Sequence, residues 1–142
     1  MSDPDSSFVV DASVSLAWLF EDEATPFTEA ALDRVAQGPV WVPSLWTLEC
    51  VNVLLSAQRR ARISAAKREM LLERAIALPL NVDRTAVAME RIDALAARYG
   101  LSAYDAAYLE LAIRLSVPLV TLDARLAKAA RACGVEVHTA KS

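Results

Sequence analysis

The stretch that most constrains this chain is residues 101–126, LSAYDAAYLELAIRLSVPLVTLDARL. Ser102 stands where an N-cap belongs, with Asp105 three residues on, as in a capping box. Tyr104, Tyr108, Leu111 and Leu115 then recur at helical spacing. Val117 and Pro118 end that helix and lead into LVTL, a short apolar run that fits a buried parallel strand. Asp123 follows where the strand stops. Two carboxylates therefore bracket one helix–strand unit, each at a boundary of chain geometry.

The rest of the sequence repeats this alternation. FVV at 8–10 reads as a buried strand ended by Asp11, and 13–20 as a helix followed by the acidic loop Glu21, Asp22, Glu23. Thr25 and Pro26 are an N-cap and first-turn pair for a helix to about residue 36. Gly38 and Pro39 break it, and VWV at 40–42 is a second strand stopped by Pro43. Ser44 is expected to cap a long helix, apolar around most of its circumference and therefore largely buried. Its polar stripe is Glu49, Asn52 and Ser56, and Arg59, Arg60 and Arg62 close it at the negative end of the helix dipole. A helix over 64–77, a weak edge strand over 78–82 containing Pro79, and a helix from Asp83 or Arg84 to Arg98, ended by Gly100, come next. Asp123 caps a last helix to about residue 132, Gly134 ends it, and 135–137 is the final strand. Five short strands alternating with about seven helices predict an α/β domain, its parallel sheet covered on both faces.

The chain has 142 residues, the size of one domain, here 1–142, and 55% of them are hydrophobic, enough for a substantial core. Residues 1–6 read as a frayed tail, which sets Asp3 and Asp5 aside as site residues. No apolar run approaches the ~20 residues of a membrane span, and the N-terminus has no signal-peptide pattern. Cys50 and Cys133 lack a CxxC partner and His138 is the single histidine, which argues against zinc and for reduced cysteines in a cytoplasmic protein. A net charge of -3 argues against binding nucleic acid by bulk charge alone, but leaves room for a metal site that concentrates the acids.

In an open parallel sheet, ligands bind beyond the carboxyl ends of the strands, at the switch point in strand order. Asp11 and Asp123 follow strands there, and Asp105 lies in the first turn of a helix that starts at the same edge. Glu49 is five residues past Ser44, roughly 7 Å down the helix axis, and its side chain tilts back toward the N-terminus. If the first and fourth strands are neighbours, Asp11, Glu49, Asp105 and Asp123 converge. Clustered carboxylates repel, and a hard divalent cation removes the conflict. An oxygen-only donor set suits Mg²⁺ or Mn²⁺, ions that activate water and neutralise charge on a phosphodiester. Ser13 and Thr121 are placed to orient the carboxylates through their hydroxyls, and Asn52, one helical step from Glu49, to do the same or to touch RNA.

Capping competes with this reading for three of the acids, because Asp is a common N-cap. Glu49 is different: an acid inside LWTLECVNVLL has no capping duty and is costly unless paired or facing a cleft. Arg59, Arg60, Arg62, Lys67 and Arg68 are candidates for phosphate contacts, against the simpler role of a solvated helix end. Trp18, Trp41 and Trp46 sit among aliphatic residues and read as core or subunit interface, and His138 has no evident role. Apolar positions around Trp46 and Leu54 exceed what a monomer needs and predict a homodimer.

On FVVDAS, VPSLWTLECVNVL, LSAYDAAYLELA and LVTLDARLAKAA, the chain resembles the PIN-domain family, and within it VapC-type toxins of bacterial toxin–antitoxin pairs. The resemblance spans Phe8 to about His138. It maps the family's acids onto Asp11, Glu49, Asp105 and Asp123, its hydroxyl residues onto Ser13 and Thr121, and its helix Asn onto Asn52. It implies a three-layer α/β/α fold with strand order 3-2-1-4-5, and an endoribonuclease using Mg²⁺ or Mn²⁺. It also implies a dimer inhibited by a small antitoxin that inserts into or near the site. The alternatives are a housekeeping PIN nuclease without an antitoxin and a non-catalytic PIN-like interaction module. A receiver-type phosphoacceptor fits less well, because Asp11 lacks a paired acid beside it and no Lys follows a late strand suitably.

Overall fold

The structure is a computed structural model that describes residues 6–140. Of the expected tail, residues 1–5, including Asp3 and Asp5, lie outside the described residues. Five parallel strands, β1 (Phe8–Val10), β2 (Val40–Pro43), β3 (Asn81–Asp83), β4 (Leu119–Val120) and β5 (Val137–His138), form one sheet in the order β3-β2-β1-β4-β5. This is the expected order, and it makes β1 and β4 neighbours, with Val9 opposite Leu119 and Val10 opposite Val120. From β1 the chain builds outward through β2 to β3, then crosses back to β4 on the other side. The switch point is therefore the β1–β4 seam.

The strands are apolar on both sides because both sides are covered. Phe8 and Val10 point into one core, and Val9, out of phase, into the other. Val120 and Leu119 divide in the same way on β4. The first core is closed by α1 (Ala12–Ser15), α2 (Pro26–Arg34), α3 (Leu45–Arg59) and α4 (Ala65–Ala77), through Val14, Ala31, Trp46, Leu54 and Leu71. The second is closed by α5 (Met89–Tyr99), α6 (Ala103–Leu115) and α7 (Ala124–Ala132), through Leu95, Tyr108, Leu111, Leu126 and Ala130. No helix among the described residues is long and apolar enough to cross a membrane.

Several local expectations are corrected. The helix expected over 13–20 is α1 plus a 3-10 turn at Leu16–Trp18. Ser44 makes no side-chain cap bond, and β2 extends one residue beyond Val42 to end at Pro43 itself. Helix α5 starts at Met89, after an irregular stretch, rather than near Asp83. The last strand falls on 137–138, and LVTL pairs only at Leu119 and Val120. Trp46 and Leu54 are buried, whereas Leu48 on the outer face of α3 is 70% exposed, so α3 is one-sided rather than largely buried.

Candidate active site

Asp11 is the centre of the site. Its backbone N–H donates to the Val120 carbonyl (3.0 Å), carrying the β1–β4 pairing one step past the strand and setting the side chain at the switch point. The carboxylate is buried and its Oδ2 accepts two hydroxyl bonds, from Ser13 Oγ (2.7 Å) and Thr121 Oγ1 (2.7 Å). Those hydroxyls accept in turn: Ser13 Oγ from the Leu122 N–H and Thr121 Oγ1 from the Asp123 N–H, each at 3.0 Å. The β4–α7 loop is thereby tied to the end of β1, and Asp11 is held in one orientation. Asp11 occupies the N-cap position of α1 but makes no side-chain cap bond, so capping does not account for it.

The other acids divide between the two readings. Asp123 does cap: its Oδ1 accepts from the Leu126 N–H at 2.8 Å. Asp105 does not; Ser102 caps α6 by accepting from the Asp105 N–H at 3.1 Å, which leaves the Asp105 carboxylate outside the main-chain cap. Glu49, partly buried on α3, accepts a 2.6 Å bond at Oε1 from the hydroxyl of Tyr108 on α6. Asn52 is exposed one turn further along α3 and bonds none of these acids among the described residues.

Burial raises the Asp11 pKa against the opposing hydroxyl bonds, and the Asp123 charge adds to the rise. Burial also raises Glu49, opposed by the Tyr108 bond and reinforced by Asp11 and Asp105. Asp105 is raised by burial, then by Asp11 and Asp123, and lowered slightly by Ser102 and Arg125. Each acid therefore feels at least one of the others, so the sequence-predicted set shares one region of charge. Among the described residues no three acids close into a ready metal cage. The donor chemistry nevertheless fits a hard cation, because mutually destabilised carboxylates gain from a positive ion. Mg²⁺ keeps several waters and takes few direct protein ligands, which suits carboxylates that interact through their charges without closing into a cage.

Two features escaped the sequence reading. Tyr108 entered it only as an apolar helical position; its place one turn after Asp105, on a buried face, is the signal that its hydroxyl needs a partner there. The second is a cluster away from the acids. Arg114 on α6 bonds buried Glu110 (2.9 Å) and Asp83 at the end of β3 (2.7 Å), which locks α6 to the edge strand. Two of the basic candidates are already engaged. Arg62 pairs with Asp22 and Glu23 and stacks on Phe20, and Arg68 pairs with Glu69 and Gln58. His138, left without a role, meets Arg34 and Glu136.

Comparison with known proteins gives the same frame. The PIN domain family model matches residues 8–132. A VapC ribonuclease of Mycobacterium bovis is 35% identical over 130 residues, 91% of this chain and 96% of that protein. Ribonuclease VapC3 of Pyrobaculum aerophilum is 30% identical over 122 residues, covering 84% of this chain and 92% of the relative. Two crystal structures share the fold. PAE2754 from Pyrobaculum aerophilum superposes with a TM-score of 0.70 at 21% identity, over 92% of this chain and 88% of that one. VapBC2 from Rickettsia felis, bound to a DNA fragment from its promoter, gives 0.68 at 13% identity, over 94% and 98%. By family model, relatives and fold together, the chain belongs to the PIN-domain family, in its VapC branch.

Proposed function

We propose that this chain is a metal-dependent endoribonuclease, the toxin of a type II toxin–antitoxin pair, hydrolysing RNA phosphodiester bonds in the cytoplasm. The observation that carries the reading is Asp11, a buried carboxylate pinned by two hydroxyls at the sheet's switch point, within electrostatic reach of Glu49 and Asp123. The relatives named VapC ribonuclease supply the reaction class.

A bound Mg²⁺ or Mn²⁺ supplies a water of lowered pKa and neutralises charge on the phosphate. Asp11, Glu49, Asp105 and Asp123 are the residues that hold it, directly or through its waters. Ser13 and Thr121 keep the Asp11 carboxylate from rotating, and Tyr108 does the same for Glu49. Asn52, with its amide free of those acids, faces solvent where RNA arrives.

The partners follow from the same reading: a small antitoxin that blocks the site, and a second copy of this chain. The exposed apolar residues Leu48 and Val51 on α3, with Met70 and Ile76 on α4, support such assemblies. The test is cleavage of RNA by purified protein with Mn²⁺, with excess chelator, and with Asp11→Asn. Sequencing of the cleaved ends then gives the substrate. Cleavage that needs both the ion and Asp11 supports the nuclease, and none under any condition leaves the non-catalytic module. Co-purification of a small DNA-binding protein encoded just upstream separates toxin from housekeeping nuclease.

A further inference from the structure

One sizeable cavity is not lined by the acids. It lies between the end of α5 and the length of α7, from Ala124 to Ala132, and has a volume of about 560 Å³. Arg98, Tyr99, Arg125 and Lys128 line it, with a floor of Ala124, Ala129 and Ala132. Helix α5 ends, and α6 and α7 begin, at the carboxyl edge of the sheet, so the cavity starts where the acids stand. Arg125 marks the junction: it follows Asp123 by two residues, lowers the Asp105 pKa, and donates from Nη1 to the Gly100 carbonyl.

Arg98, Arg125 and Lys128 are exposed and form no ion pair among the described residues, whereas Arg62, Arg68 and Arg114 all do. Arg98 lies over the Tyr99 ring, 5.5 Å from its centroid. The volume lies within the range of small-ligand pockets. A cationic rim, an aromatic wall and a floor of small alanines suit a stacked base joined to backbone phosphates.

We propose that the cleft between α5 and α7 binds the single-stranded RNA that flanks the scissile bond. One base lies against Tyr99, and neighbouring phosphates meet Arg98, Arg125 and Lys128. The choice of RNA as ligand rests on the ribonuclease reading. The cleft reconciles that reading with a net charge of -3, because acids and bases are segregated along one edge. It also locates phosphate binding away from the Arg59–Arg60 end of α3, which the sequence offered as a candidate against the simpler role of a solvated helix end.

The probe is a fluorescein-labelled 12-nucleotide oligouridylate, bound to Asp11→Asn protein with Mn²⁺ present and read by anisotropy over a series of salt concentrations. For single strands, log affinity falls with log salt by about 0.7 per phosphate contact. Arg98→Gln combined with Lys128→Gln should weaken binding about tenfold at low salt and flatten the slope by about 1.4. Tyr99→Leu should weaken binding by a similar factor while leaving the slope unchanged, because stacking releases no counterions. An unchanged slope in the Arg98/Lys128 double variant overturns the proposal, whether or not Tyr99→Leu folds. So does a slope flattened instead by Arg59→Gln with Arg60→Gln. The wild-type chain is assayed for cleavage in parallel. Absence of cleavage with the slope changes present defeats the nuclease reading alone, and normal cleavage with unchanged slopes defeats the cleft alone.

Discussion

At the scale of single residues, Asp11, Asp105 and Asp123 separate capping from chemistry by different margins. Asn caps a helix about as well as Asp. Asp123→Asn should therefore keep its bond to the Leu126 N–H and lose no more than a few tenths of a kcal/mol. Asp11→Asn and Asp105→Asn remove a charge from a repelling cluster, and should leave the metal-free protein as stable or more so. All three should abolish metal-dependent RNA cleavage if they hold the ion. Thermal melts beside a cleavage assay separate the outcomes, and full activity in any variant removes that residue from the catalytic set. Tyr108→Phe is subtler. It keeps the buried ring and deletes the hydroxyl, leaving Glu49 Oε1 without its protein donor, at a cost of about 1 kcal/mol. Loss of the restraint on Glu49 should slow cleavage roughly tenfold, the rate equivalent of about 1.4 kcal/mol. An unchanged rate would assign Tyr108 to packing alone.

At the scale of elements, α6 connects everything. Its first turn carries Asp105, its second Tyr108 and Glu110, and its last Arg114. The Arg114 pairs with Glu110 and Asp83 fix its position against β3. Arg114→Met should cost about 2 kcal/mol or more, because Glu110 would remain buried without its cation. It should also weaken Mn²⁺ binding by moving Asp105, which calorimetry of the folded variant can read. This lock was not legible in the sequence, because Asp83 lies on β3, far along the chain from the α6 pair Glu110 and Arg114, and that pair looks like an ordinary surface i,i+4 contact. What was legible followed from local chemistry. Thr25 and Pro26 start α2, Ser64 and Ser102 cap α4 and α6, and Gly100 takes the left-handed turn its position required, at φ 66°. The failures arose where tertiary context overrides local preference. The apolar run of α3 implied burial around most of its circumference, but α3 is an outer-layer helix, and Leu48 and Val51 are left outside. Asp83 read as a helix start, yet its carboxylate is committed to Arg114. Asp11, Asp105 and Asp123 were legible because they sit where chain geometry changes, and Glu49 because an acid inside an apolar helix is costly without a partner or a cleft. Their convergence needed β1 beside β4, which only the sheet order provides.

At the scale of the whole molecule, opposite pKa shifts act in different pH windows. Arg114 holds Asp83 below the usual carboxylate range, so that pair stabilises the fold above about pH 4 and is lost as the pH falls through the depressed native value. Asp11, Glu49 and Asp105 are raised, so the unfolded chain ionises first. Their contribution is fully present below about pH 4 and is lost as the pH rises through the raised native values. The metal-free protein should therefore lose stability from about pH 4 toward neutrality, and Glu49→Gln should reduce that loss. A cation that binds the ionised acids reverses the trend. At roughly ten times its dissociation constant it should add about 1.4 kcal/mol, and more as the pH rises and protons no longer compete. Melting curves with and without Mn²⁺ at several pH values test both halves together. A pH-independent metal-free Tm, or a melt indifferent to Mn²⁺ at neutral pH, would show that the four carboxylates do not act as one site.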